Sequence, residues 1–378
     1  MKKIFLGIAL FYAMPLFAQQ PETVYSIALE IRELPWYEQQ MDLWEKETKK
    51  NPKDGNAWTN YYMASRALKN LTADEPEKQA VHVKKCTAIL EACKKADPKS
   101  FEAYYLAYLD AGFKNPEGSL LKAAAINPYD KRILDEMKIY KLLHFDEKGF
   151  ETYCTKMVEI NHLPAGILNW GHNILAELEP NALLFTFGDN DTYGTWINQG
   201  AFGFRKDVTI INTYLLQDDN YRTKLFQKIG LPPFNVKLTD VSVEEFNRQL
   251  IQHIVDGPRP VYVANTGIAN FPEAFKENLY LTGLTHRYSK SALETEATIV
   301  RNFEKRYFLD YLSVTFSHHI ADAKTVYFNE SYLPMLIKLY KHYGEVEEVE
   351  KQTKVKILLT SISSALGKEQ EVMELLSK

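Results

Sequence analysis

The chain has 378 residues, 46% of them hydrophobic and 13% aromatic, with 45 Lys and Arg against 49 Asp and Glu for a formal net charge of -4. With that balance and no long basic run, nucleic acid is excluded as an expected partner. The apolar content is ample for a packed core, and the length suggests two or three domains.

Met1-Lys2-Lys3 followed by the apolar run Ile4 to Phe17 has the charge and length of a signal peptide, too short to span a bilayer. Ala18 suits the position before cleavage, which leaves Gln19 as the new N-terminus. Residues 1–18 are therefore expected to be removed, and the mature chain to work in the periplasm or outside the cell. No later apolar stretch approaches the length of a membrane helix, so no transmembrane span is expected in the mature chain.

Residues 22–178 read as a helical repeat-like domain. Three related phrases punctuate it: Asn51-Pro52-Lys53-Asp54, Asp97-Pro98-Lys99-Ser100 and Asn127-Pro128-Tyr129-Asp130. Each precedes apolar and aromatic residues at helical spacing, and its leading Asn or Asp is read as the cap of a helix with proline in the first turn. The arrangement resembles tetratricopeptide repeats, in which antiparallel helix pairs stack into a solenoid. An ordinary helical bundle is the alternative. Cys86 and Cys93 are seven positions apart on one expected helix, about 10 Å along its axis and too far for a disulfide. Cys154, in another segment, could pair with either, but three buried thiols are the simpler expectation.

At Pro180 the texture changes. Ala182–Phe187, Val208–Leu216 and Val261–Asn265 are short apolar strands, separated by helical patterns at Asn220–Ile229 and Val243–Val255. Leu279–Tyr288 is a further strand candidate. Apolar strands alternating with helices predict an α/β fold over 179–290, with a central, mainly parallel sheet covered on both faces. Residues 291–378 return to helical periodicity, clearest at Ser331–Tyr343 and Lys354–Leu366, with Gly344 and Gly367 where helix stops belong. The sheet is thus expected between helical N- and C-terminal regions.

The densest polar cluster, Gly188-Asp189-Asn190-Asp191-Thr192, follows the first strand and precedes a helix expected to open near Tyr193. Ligand sites of open α/β sheets lie beyond the carboxyl ends of the strands. Asp219 after the second strand and Asn265 after the third point to the same edge, and Arg287 joins them if the last strand runs the right way. The candidate ligand-binding set is therefore Asp189, Asn190, Asp191, Thr192, Asp219, Asn265 and Arg287. Asp189 and Asp191 could hold a divalent cation through their oxygens, or divide into an acid and a base. Asp and Asn also cap helices and close turns for local reasons, so capping alone, ligand binding and catalysis all remain open. His162 and His172 are ten apart, which is no recognised metal spacing.

The run from Asn181 to Thr192, with the strand Val208–Leu216 and Asp219 behind it, Arg259-Pro260-Val261-Tyr262 and the stretch from Leu281 to Arg287, resembles the soluble C-terminal region of a bacterial protein O-mannosyltransferase-like membrane protein family. The resemblance covers roughly residues 179–343 and implies an extracytoplasmic α/β module. This chain lacks the family's multi-span membrane part, so transferase activity is not implied. The expectation is an envelope binding or scaffold protein. Helical repeats would contact a protein partner, and the Asp-rich edge would bind a small molecule, such as a glycan. The alternative is a metal-dependent hydrolase or glycosyltransferase using Asp189 and Asp191.

Overall fold

The computed structural model describes residues 20–27, 30–312 and 323–377; the expected signal peptide lies outside them. Contacts divide the chain into two compact units, the first ending at Ile133 and the second starting at Leu134.

The first unit is helical: α1 (Leu34–Lys50), α2 (Gly55–Leu71), α3 (Pro76–Ala96), α4 (Phe101–Asp110) and α5 (Leu120–Ile126). The recurring phrase is the turn between helices, and its leading residue ends the preceding helix instead of capping the next. Asn51, Asp97 and Asn127 are the C-caps of α1, α3 and α5. Each side-chain oxygen accepts the N–H two residues on, from Lys53, Lys99 and Tyr129. Proline follows because a residue with no N–H and fixed φ cannot continue a helix. The fourth residue does the capping: Asp54 and Ser100 accept from Ala57 and Ala103 N–H, both at 3.1 Å. Arg132 ties the unit together. It donates to Thr59, Glu102 and Asp130, with its guanidinium 4.4 Å from the centre of the Phe101 ring.

The second unit begins with α6 (Leu134–Leu143), α7 (Glu147–Glu159) and α8 (Ala165–Glu177), so these helices belong with the sheet although the texture changes only at Pro180. Next come β1 (Leu183–Thr186), α9 (Asp189–Phe202), β2 (Thr209–Asn212), α10 (Asp219–Ile229), α11 (Val243–Val255), β3 (Val261–Ala264), β4 (Leu279–Leu281) and β5 (Thr285–Tyr288). The helices α12 (Glu296–Lys305), α13 (Ala323–Glu330), α14 (Leu333–Glu345), α15 (Val349–Leu366) and α16 (Glu369–Ser377) complete it. No described helix is long and apolar enough to cross a membrane. Cys86, Cys93 and Cys154 are buried free thiols.

The sheet is mixed, in the order β2-β1-β3-β5-β4. β2, β1 and β3 are parallel, and an antiparallel β4–β5 hairpin extends them. Because side chains alternate across a strand, the sheet has two cores. Leu184, Ile210, Tyr262 and Ala264 face residues of α8, α9, α12, α14 and α15. Leu183, Phe185, Ile211 and Val263 face α10 and α11. Burial on both faces explains why β1 reads as a continuous apolar run.

Three boundaries differ from the sequence expectation. The second strand stops at Asn212, whose side chain accepts the N–H groups of Tyr214 and Leu215 and turns the chain into a short 3₁₀ segment. Leu279–Tyr288 is a hairpin, turning at Gly283 with φ 154°. α14 runs through Gly344, and its exit has Glu347 at φ 58°, whereas Gly367 ends α15 in the left-handed conformation as expected.

Candidate functional site

The acidic phrase is not a loop before a helix; it is the first turn of α9. Gly188 is the N-cap and Asp189, Asn190 and Asp191 are the first three helical residues, where the helix dipole favours negative charge. The Asp191 side chain turns back on the strand exit: Oδ2 accepts from Phe187 N–H and Oδ1 from Gly188 N–H, both at 2.9 Å. The Thr266 hydroxyl, beyond β3, donates to Oδ2 at 3.2 Å. Burial raises the Asp191 pKa and outweighs these hydrogen bonds, which favour the ionised form.

Thr192 is fully buried and joins the strand ends. Its hydroxyl lies 2.7 Å from Thr186 Oγ1 and bonds Gly188 O, and Asn212 Nδ2 donates to it at 3.0 Å. Asp189 is more open to solvent; its carboxylate takes a hydrogen bond from the Tyr193 hydroxyl, yet its partly desolvated position raises its pKa as well, outweighing that bond.

Beneath Tyr193 lies a charge cluster built around one buried lysine. The Lys138 ammonium is fully buried, 3.2 Å from the centre of the Tyr193 ring and 3.2 Å from Asp135 Oδ1. Asp135 Oδ2 is in turn 2.8 Å from His162 Nε2. Burial works to raise the Asp135 pKa, but the Lys138 charge and the His162 hydrogen bond prevail and hold it at about 2. Sequence reading missed this cluster. Its visible signal is Asp135 and Lys138 at i, i+3 on one helix, a spacing that exposed helix pairs share.

The remaining candidates separate. Asp219 opens α10 and pairs with Arg222 at 2.5 Å, its side chain 61% exposed, while Asp218 caps the helix through Tyr221 N–H. Asn265 directly follows β3; its Nδ2 donates to Gly283 O and Ser331 O, and its Oδ1 is buried without a partner among the described residues. Arg287 does not join the edge. β5 is antiparallel to β3 and pairs Arg287 with Tyr262 near the start of β3. The Arg287 side chain meets Glu179, which precedes β1. The edge thus gathers Asp189, Asp191, Thr192 and Thr266. Among the described residues, no three of His, Cys, Asp and Glu group as a metal site requires.

A second polar cluster holds the far end of α8. Glu177, 3% exposed, accepts from Leu284 N–H at 2.9 Å and from the hydroxyls of Thr285 and Tyr307. Arg306 caps the same helix end by donating to Ala176 O and Glu177 O.

The second unit is an α/β unit with a polar edge at the carboxyl ends of its parallel strands, the position at which open α/β sheets in general take ligands. Within it, residues 167–256 match the family model described as TMEM260-associated domain 2. The matched span runs from α8 through α11, including Asp189, Asp191, Thr192 and Asp219, and ends before Asn265 and Arg287. It overlaps the protein O-mannosyltransferase-like resemblance over 179–256 and is loosely consistent with it. No curated protein matches the chain.

The two aspartates are expected to respond differently to the same change. Asn at 191 offers one acceptor where two N–H groups converge, so one charge-assisted bond worth about 1.5–3 kcal/mol is lost. Relief of the buried charge offsets part of this, leaving Asp191→Asn destabilised by about 1–2 kcal/mol. Asp189→Asn should stay within about 0.5 kcal/mol of the wild type, as exposed substitutions do. Urea unfolding of both variants checks this; equal costs would contradict the division of labour.

Proposed function

We propose that this is an exported cell-envelope protein that binds and scaffolds. Its α/β unit holds a small ligand, a glycan in the first instance, at the Asp189 edge, and its helical regions contact a protein partner. The observation that carries the reading is the contrast between two neighbouring carboxylates. Asp191 is committed to backbone N–H groups of the strand exit, whereas Asp189 is exposed and oriented by Tyr193. A solvent-reached carboxylate held by one tyrosine hydroxyl suits hydrogen bonding to sugar hydroxyls. The version of a metal-dependent or acid–base mechanism that uses Asp189 and Asp191 together would need both carboxylates, and Asp191 is already engaged.

The protein O-mannosyltransferase-like resemblance motivates testing mannosides first. The tetratricopeptide-like reading of the helical region draws support from its threefold recurring turn, in which Asn51, Asp97 and Asn127 make the same bond. Export rests on the N-terminal sequence: mass spectrometry of the envelope fraction should find a terminus at Gln19, and intact Met1 there would refute it.

Titration calorimetry against mannose-containing and other oligosaccharides tests the site. Saturable binding is expected, lost in Asp189→Asn without a change in melting temperature. Binding unaffected by that substitution, or no binding across the panel, would overturn the site. Calcium, magnesium and manganese are expected to leave the melting temperature unchanged. A concentration-dependent rise abolished by Asp189→Asn would instead favour the metal-dependent enzyme, because a ligand specific for the native state stabilises it.

A further inference from the structure

Within the first unit, residues 20–25 run along α1 and α2 and are held there by main-chain hydrogen bonds to helix side chains. Glu22 N–H donates to Gln40 Oε1 and Val24 N–H to Asn60 Oδ1, both at 2.7 Å, and Trp44 Nε1 donates to Glu22 O at 2.8 Å. Residues two apart in an extended chain present their N–H groups to the same side, so Gln40 and Asn60 read alternate amides as a strand partner would. Val24 is buried, with Thr23 and Tyr25 exposed on either side of it. The reading groups are themselves interior: Gln40, Asn60 and Trp44 are all buried. Asn60 is fixed in advance, since its Nδ2 donates to Asn56 O at 2.8 Å and Asn56 Oδ1 at 3.0 Å, leaving its Oδ1 for the incoming amide.

Extended peptides are commonly held by main-chain hydrogen bonds, with pockets for alternate side chains giving selectivity; here Gln40, Asn60 and Trp44 supply the main-chain partners and the Val24 position the pocket. A second observation points to a ligand other than the resident one. Gln40 is fully buried, yet its Nε2 has no hydrogen-bond partner among the described residues. Leaving a buried amide donor open is costly, and residues 20–25 use only the acceptor half of that carboxamide. A peptide carbonyl beside Gln40 would complete it.

We propose that the α1–α2 face is an extended-peptide site and that residues 20–25 are its resident placeholder. The partner is an unfolded or terminal polypeptide segment. It carries a β-branched aliphatic residue at the Val24 position, a free main-chain N–H two residues before it, and a carbonyl within reach of Gln40 Nε2. The proposal deepens the reading of the helical region as a protein-contact surface and is independent of the Asp189 edge, whose test uses glycans.

Covalent attachment gives the resident segment a millimolar-scale effective concentration, so the intact chain hides the site. The experiment places a protease site between Ile27 and Glu30 of the full chain and uses a fluorescent peptide of residues 20–27 as probe. Before cutting, the probe should bind weakly. After cutting, it should exchange with the released segment and bind saturably, at least tenfold more tightly. A probe carrying Val24→Asp should bind at least tenfold more weakly, as should the normal probe on a cut chain with Asn60→Ala. Two results would overturn the proposal: a cut chain that never exchanges its segment, and a helical unit that loses its cooperative melt when the segment leaves, which would make residues 20–25 part of the fold. Equal affinity of the two probes would also refute it.

Discussion

Gly171→Ala is expected to destabilise the second unit by about 3 kcal/mol or more, although alanine in a helix is ordinarily favoured over glycine by about 1 kcal/mol. A Cβ at Gly171 of α8 would stand 2.4 Å from the Gly194 carbonyl carbon, 2.5 Å from its oxygen and 2.8 Å from Thr195 N, all backbone atoms of α9. The reverse holds at Gly194, where a Cβ would come within 2.6 Å of Ile167 O. No side chain can rotate away, so the helices must separate, and both are fixed elsewhere. α8 is anchored by Trp170 Nε1 on Ser331 Oγ at 2.9 Å and by Asn173 on Tyr332 and the Phe308 backbone. α9 is tied to α8 by Asn198 Nδ2 on Leu168 O and carries the Asp189 edge at its start. Gly344→Ala is the control: there the Cβ meets the end of the Gln352 side chain at 2.5 Å, a group that can move. Urea unfolding should give a much lower midpoint for Gly171→Ala at unchanged slope and little change for Gly344→Ala. A Gly171→Ala variant as stable as the wild type would mean the helices do not meet this closely.

What could be read in the sequence follows from what is local. β1, β3, α10 and α11 were legible because apolar runs and helical periodicity express burial directly. The start of α9 was not, because Asp and Asn suit a turn and a first helical turn equally well, and only the Asp191 bonds to Phe187 and Gly188 distinguish them. The Arg287 assignment failed for want of strand direction, which depends on the turn at Gly283 and so on contacts distant in sequence. Lys138 beneath Tyr193, and Glu177 with Thr285 and Tyr307, join residues 55 to 130 positions apart. In one sequence each of these reads as an ordinary polar residue on an amphipathic element.

Glu177 should make the stability of the protein fall as pH rises above neutrality. Burial pushes its pKa up to about 8, against hydrogen bonds from Thr285 and Leu284 and the pull of the Arg306 charge, which favour the carboxylate. The unfolded chain has an ordinary carboxyl pKa near 4.3, so between these values the folded state holds a proton that the unfolded state has released. The Glu177 contribution is therefore fully present below about pH 4.3, declines by up to about 1.4 kcal/mol per pH unit, and is gone above about pH 8. His286 opposes it at the acid end. Burial lowers its pKa to about 4 from 6.5, so its contribution is present above 6.5 and lost as pH falls toward 4. The two slopes offset each other below pH 6.5, and Glu177 dominates this pair above it. A net loss on the order of 2 kcal/mol is expected between pH 6.5 and 8. Glu177→Gln keeps the shape and removes the titration, so unfolding measured across this range should lose that slope. Because Glu177 joins the end of α8 to the β4–β5 turn and Tyr307, amide exchange at Leu284 should accelerate over the same interval in the wild type beyond the intrinsic pH effect, but not in the variant. An identical slope in both proteins would place the titrating group elsewhere.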